Sequence, residues 1–196
     1  MEPLNASTRL VAEGLALTRG GRLLFERLSF VVQPGEALLL TGPNGVGKTS
    51  LLRLLAGLLE PAAGTLDNPF ATAFQGPEPA LKPDALLKRE LSFWARLDGR
   101  TDADMWAAAE AMALIPLLDL PVALLSAGQR ARAGLARVIA SGASLWLLDE
   151  PTATLDTASA QRLEEVLALH LERGGLLVAA THLPLRLKAS ELRLGA

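Results

Sequence analysis

Eight consecutive residues, Gly42-Pro43-Asn44-Gly45-Val46-Gly47-Lys48-Thr49, constrain the fold more than any other part of the chain. They follow Ala37–Thr41, a short apolar run that reads as a buried parallel strand. They open Lys48–Leu59, where Leu recurs at 51, 52, 54, 55, 58 and 59 with helical spacing before Pro61. Glycines let a backbone curl so that its N–H groups converge on phosphate oxygens, and the helix N-terminus adds a positive dipole end. The strand–loop–helix context is what separates this cradle from an ordinary glycine turn. Gly42 through Gly47 and Ser50 therefore line a nucleotide site, Lys48 reaches the β- and γ-phosphates, and Thr49 ligates Mg²⁺.

The rest of the chain alternates strand and helix at both ends. Leu10–Leu17 and Leu28–Val32 read as strands flanking the turn-prone Gly20-Gly21. Ala71–Phe74 is a short segment, and 76–84 is proline-rich and irregular. Ala85–Leu97 and Asp102–Leu114 read as helices, and Ala127–Ala140 as a helix opened by Ser126. Leu145–Leu148 and Leu176–Ala180 read as buried strands around an Ala158–Arg173 helix. The pattern predicts an α/β fold of the P-loop NTPase type, with a mainly parallel sheet, a small antiparallel part and a helical insert. One domain is expected: core 1–75 and 123–196, insert about 76–122.

The strand ending at Leu148 runs into Asp149 and Glu150. Behind a phosphate loop, such a pair reads as a Mg²⁺ holder, Asp149, and a group that polarises the attacking water, Glu150. His182 follows the last buried strand, which places it at the same sheet edge as a γ-phosphate sensor. His170 has no such context and reads as a solvated helix residue.

Leu125-Ser126-Ala127-Gly128-Gln129, about twenty residues before the acidic strand, resembles the signature of ATP-binding-cassette (ABC) ATPases. Asp156, in Pro151-Thr152-Ala153-Thr154-Leu155-Asp156, resembles the family's D-loop, and Ala180-Thr181-His182 its switch histidine. The resemblance covers nearly the whole chain. It implies that Ser126, Gly128 and Gln129 serve the nucleotide of an opposing copy, giving two sites per head-to-tail ATP-sandwich dimer. The capped helix start fits that role, since it offers free N–H donors and a positive end. Ala127 stands where the family more often has Gly.

Two family positions are ambiguous. The aromatic side chain that usually stacks on adenine is missing: the chain has no Tyr, and Arg19 stands at the matching place, with Phe25 as the alternative. The glutamine that links Mg²⁺ to the membrane partner is Gln75 on chemistry, or Glu78 on spacing.

Leu81-Lys82-Pro83 upstream of Phe93-Trp94-Ala95-Arg96-Leu97, the Leu-Ser-Ala-Gly-Gln signature, and Gly20-Gly21-Arg22-Leu23-Leu24-Phe25 together look like the haem-exporter branch of cytochrome c maturation. That likeness implies a peripheral ATPase on the cytoplasmic face of the bacterial inner membrane. Its partners would be integral membrane B and C subunits with a small D subunit, docked through the insert. Composition agrees with a role that needs no other cofactor than ATP and Mg²⁺. Cys is absent and only two His occur, which excludes thiolate and histidine-cage metal sites. Met1, Met105 and Met112 are the remaining candidate haem ligands, and direct haem ligation is not expected. A net charge of −2 gives no basic field for nucleic acid, and no 18-residue apolar stretch spans a bilayer. Met1–Arg9 lacks the apolar core of a signal peptide, and with 14 residues after His182 no C-terminal regulatory domain is expected.

Rival readings each leave something unexplained. A ribosome- or DNA-directed ABC ATPase of the soluble kind carries two cassettes or a long coiled coil, a kinase or GTPase leaves the signature idle, and a non-catalytic scaffold leaves Lys48, Asp149, Glu150 and His182 idle. With no aromatic stacker, base selectivity should be weak: competition binding should place GTP within about tenfold of ATP, roughly 1.4 kcal/mol. A thousandfold preference for ATP would contradict this.

Overall fold

The structure, a computed structural model, describes residues 8–183 and 185–195. Met1 and most of the Met1–Arg9 segment lie outside those residues.

The chain opens with an antiparallel hairpin, β1 (Leu10–Arg19) and β2 (Arg22–Val32). Gly20 and Gly21 both take positive φ, 57° and 74°, as a two-residue turn matched to strand twist requires. Arg19 therefore pairs with Arg22, and β2 begins six residues earlier than the expected Leu28. β3 (Ala37–Thr41) leads through the glycine loop into α1 (Lys48–Leu55). The helix ends four residues short of the expected Leu59. Gly57 takes φ 71°, and Leu58 N–H closes back on Arg53 C=O, the left-handed stop that glycine allows. Next come β4 (Ala63–Asp67), β5 (Thr72–Gln75), α2 (Leu87–Leu97), α3 (Asp102–Ala111), α4 (Ala127–Ala140), β6 (Leu145–Asp149), α5 (Thr157–Glu172), β7 (Leu176–Ala180) and β8 (Ser190–Arg193).

The strands form two sheets. β4 joins the hairpin in a three-stranded antiparallel sheet, order β2-β1-β4. The other five make a wholly parallel sheet, order β5-β6-β7-β3-β8. In each buried parallel strand, alternate residues point to opposite faces, which divides the apolar interior in two. Leu38, Leu40, Leu145, Leu147, Leu176 and Val178 face α1 and the antiparallel sheet. Leu39, Trp146, Leu148, Leu177 and Ala179 face the other side, where residues of α2 through α5 share one continuous core. The helices between β5 and α4 are thus packed onto the sheet through α4. Arg132 of α4 donates to the carbonyls of Met112 and Ala113 at the end of α3, and Arg137 lies 3.8 Å over the Trp94 ring of α2. No helix among the described residues is long and apolar enough to cross a membrane.

His170 is not the solvated residue that its helix position suggested. Its ring stacks on Trp146 at 3.7 Å and 9°, and Nε2–H donates to Leu176 C=O at 3.2 Å. Gly175 makes the space, because a Cβ there would overlap the imidazole. The helix position misled because the end of α5 packs against the starts of β6 and β7, which covers a side chain that looked open. Burial pushes the His170 pKa below its ordinary value, more than its hydrogen bonds to the Leu176 and Ser144 backbone raise it. The unfolded chain then binds a proton that the folded chain refuses, so stability rises with pH across the window below about 6.5. Thermal unfolding should show Tm falling as pH drops below that value, and His170→Gln should flatten this part of the profile.

Candidate nucleotide site

Parallel pairing brings three strand ends to one edge. Leu40 of β3 is in register with Ala180 of β7, and Ala180 with Asp149 of β6. The glycine loop, Glu150 and His182 leave these ends side by side.

The loop is held by close backbone approach. A Cβ on Gly42 (φ 128°) would stand 2.5 Å from Leu194 C=O, just past β8. One on Gly47 (φ 115°) would meet Leu24 at 3.2 Å and Phe25 at 3.4 Å. Gly45 is also left-handed, at φ 77°, while Pro43 and Asn44 are exposed and Val46 is half-buried. Lys48 is buried, yet its Nζ is satisfied: it donates to Gly42 C=O at 2.8 Å and Pro43 C=O at 3.1 Å. Thr49 and Ser50 follow in the first turn of α1, whose N-cap Gly47 supplies no side chain.

His182 joins the strand ends. Its Nε2 lies 2.8 Å from Asn44 Oδ1, 3.3 Å from Lys48 Nζ and 3.4 Å from Glu150 Oε1. Its backbone N–H donates to Glu150 Oε2 at 3.3 Å. With Nε2 protonated, the ring donates toward Asn44 or Glu150; with Nε2 bare, it accepts from Lys48. Glu150 itself sits at φ 50°, a left-handed backbone that side-chain-bearing residues adopt only at a cost. Its N–H donates to Ala180 C=O at 2.8 Å, and its C=O accepts from Ala153, so both sides of the strain are pinned.

Asp149 is 4 % exposed, and its Oδ2 is buried with no hydrogen-bond partner. An orphaned carboxylate oxygen beside a phosphate cradle is costly unless a cation meets it, so the residues fit a divalent metal.

The signature segment is built but stands apart. Ser126 Oγ accepts from Gln129 N–H at 3.2 Å, and Gln129 Oε1 accepts from Ser126 N–H at 2.8 Å, a reciprocal capping box. Ser126 and Ala127 are exposed. Among the described residues, the side-chain hydrogen bonds of Ser126 and Gln129 stay within this box and do not reach the glycine loop, Glu150 or His182. Gly128 abuts Thr154 of its own chain, whose C=O would lie 2.9 Å from a Cβ there. Asp156 caps α5 by accepting from Ser159 N–H at 2.8 Å, and that bond holds its carboxyl below the usual range.

The two ambiguous positions are placed as follows. Phe25 is buried in the core beneath the loop, whereas Arg19 is exposed at the hairpin tip. Gln75 is buried at the end of β5, and Glu78 is exposed in the following loop. Gln75 is in register with Leu148, so its side chain lies on the α4 face, opposite Asp149. The structure therefore does not bring Gln75 and Asp149 to one side of the sheet. Sequence reasoning also missed Leu194 and Gly195, which back the glycine loop; β8 is short, polar and exposed, and gave no strand signal.

The sequence matches the ABC transporter family over residues 25–153. The chain belongs to the ABC transporter family. Within it, the chain is 46 % identical over 196 residues to the cytochrome c biogenesis ATP-binding export protein CcmA of Rhodopseudomonas palustris (strain BisB5), covering 95 % of this chain and 98 % of the relative. It is 48 % identical over 176 residues to the protein of the same description from Zymomonas mobilis, covering 90 % of this chain and 79 % of that one. The fold is similar to a solved ATP-binding subunit of an ABC transporter, with a TM-score of 0.86 at 23 % identity over 95 % of this chain and 86 % of that one. This ABC ATPase domain binds ATP, and family membership implies paired ATPase domains on membrane partner subunits.

Gly42→Ala should test the loop directly. The added methyl meets a backbone carbonyl at a left-handed φ, so a loss of about 1–3 kcal/mol in chemical denaturation is expected, together with loss of ATP binding.

Proposed function

We propose that this chain is the ATP-hydrolysing subunit of a membrane complex that exports haem, or releases haem-loaded chaperone, for cytochrome c biogenesis. The observation that carries the hydrolytic half is the convergence of Lys48, Glu150 and His182 on one sheet edge beside the orphaned Asp149 oxygen. The cytochrome c half rests on relatives of that description that align along almost the whole chain.

Lys48 neutralises the β- and γ-phosphates as a point charge. The backbone N–H groups of the Gly42–Gly47 loop, apart from Pro43, which has none, and those at the start of α1, with Thr49 and Ser50, hold the phosphate chain. Asp149 and Thr49 hold Mg²⁺, which when bound stabilises charge on the phosphate oxygens. Gln75 joins them by leaving the α4 face. Glu150 accepts a proton from the attacking water, and His182, which already contacts Glu150 and Lys48, keeps that carboxylate aimed. Ser126, Gly128 and Gln129 of one copy close the site of the other, since Ser126 and Ala127 face outward. Asp156 lies beside that contact. Arg19, exposed at the hairpin tip, stacks its guanidinium plane on the base.

Docking uses the surface of α2. A groove of about 800 Å³ there is lined by Leu86, Phe93, Leu97, Lys88, Arg89 and Arg96, with Phe93 48 % exposed and Leu97 64 %. The partners we assign to this surface are integral membrane B and C subunits and a small D subunit, with this chain on the cytoplasmic face of the inner membrane. Direct haem ligation by Met105, Met112 or His170 is not expected, since both methionines are fully buried and His170 stacks on Trp146, and haem handling is assigned to those subunits.

Glu150→Gln should keep Mg-ATP binding and slow hydrolysis by at least about a hundredfold in the assembled complex. The same variant with ATP, used to capture partners from detergent-solubilised membranes, should recover haem-handling membrane proteins. Unchanged turnover would remove Glu150 from its role, and recovery of an unrelated permease would remove the haem.

A further inference from the structure

Gln75 and Asp149 end neighbouring strands but point to opposite faces, and what meets Gln75 on its side is a glycine. Gly134 lies in the middle of α4, where glycine is less favourable than alanine and no turn needs it. A Cβ there would stand 3.0 Å from both Cδ and Oε1 of Gln75 and 2.9 Å from Cβ of Pro79. Gln75 Oε1 is buried and has no hydrogen-bond partner. No bond to Oε1 holds the amide in this seat, and an unpartnered acceptor makes the seat shallow.

We infer that Gly134 is a positioning residue for the metal ligand: its missing methyl gives the Gln75 amide a resting place against the signature helix and sets how readily Gln75 leaves to meet a divalent cation. This rests on the reading of Gln75 as a Mg²⁺ ligand. A methyl at 134 closes the resting place. Pro79 blocks one way out, so the amide is driven toward the end of β5. Because Ser126 caps the same helix eight residues earlier, the seat also ties the readiness of the metal ligand to the position of the helix that serves the opposing copy.

The test is the Mg²⁺ dependence of binding of a fluorescent, non-hydrolysable ATP analogue to the full chain, in the parent, Gly134→Ala, Gln75→Ala and the double variant. Gly134→Ala should lower the half-saturating Mg²⁺ concentration at least about threefold and leave metal-free binding unchanged. The effect should vanish in the Gln75→Ala background. An unchanged or raised Mg²⁺ requirement in Gly134→Ala, or a shift that persists without Gln75, overturns the inference while leaving Gln75 as a ligand. If Gln75→Ala alone leaves the Mg²⁺ dependence of binding untouched, the ligand reading itself falls, and this inference with it.

Discussion

The structure depends on the parallel alignment of β3, β7 and β6. Hydrogen bonding at one level sets Leu40, Ala180 and Asp149 side by side, so whatever follows those strands must meet. His182 lies 134 residues from Lys48 and 32 from Glu150 and is still within hydrogen-bond distance of both. Each strand is fixed by apolar side chains on both faces, which leaves the edge little freedom to slip by a residue without exchanging its two cores. The geometry of this site is a by-product of sheet register.

A second element, α4, works as a beam. Its start is closed by the Ser126–Gln129 box, Arg130 donates to Leu125 C=O, Arg132 grips the end of α3, and Arg137 covers Trp94. Burial lowers the Arg137 pKa, and the nearby Asp98 and Glu90 carboxylates oppose that shift. Two glycines on the beam let loops of the same chain lie against it, Thr154 at Gly128 and Gln75 at Gly134. The helix touches the segment after Glu150, the end of β5 and α2, so it lies between the proposed docking surface and the proposed site.

Much of this was legible in the residues. The Ala127–Ala140 helix has the expected bounds, because a serine cap and a glutamine three residues on mark the start in plain local chemistry. The strands Ala37–Thr41 and Leu176–Ala180 were also legible, since a strand buried on both faces is an unbroken apolar run. β4 and β8 were not, because both are short and largely exposed and are strands only through their neighbours. The setting of His170 was hidden for a related reason: its partners Trp146 and Leu176 belong to other elements. The side of the sheet on which Gln75 lies follows from its register with Leu148, and register is a tertiary fact. The glycine loop, Asp149, Glu150 and His182 were readable as a set of residue types in order, whereas their mutual contacts were not.

Glu150 holds a backbone shape that glycine or asparagine would occupy more comfortably. Selection for a firmer fold alone would drift toward those residues, and each step would strip the carboxylate from the edge. Homologues that have lost turnover while keeping nucleotide can therefore be expected to be the sturdier molecules, with the relaxation concentrated at this one peptide unit.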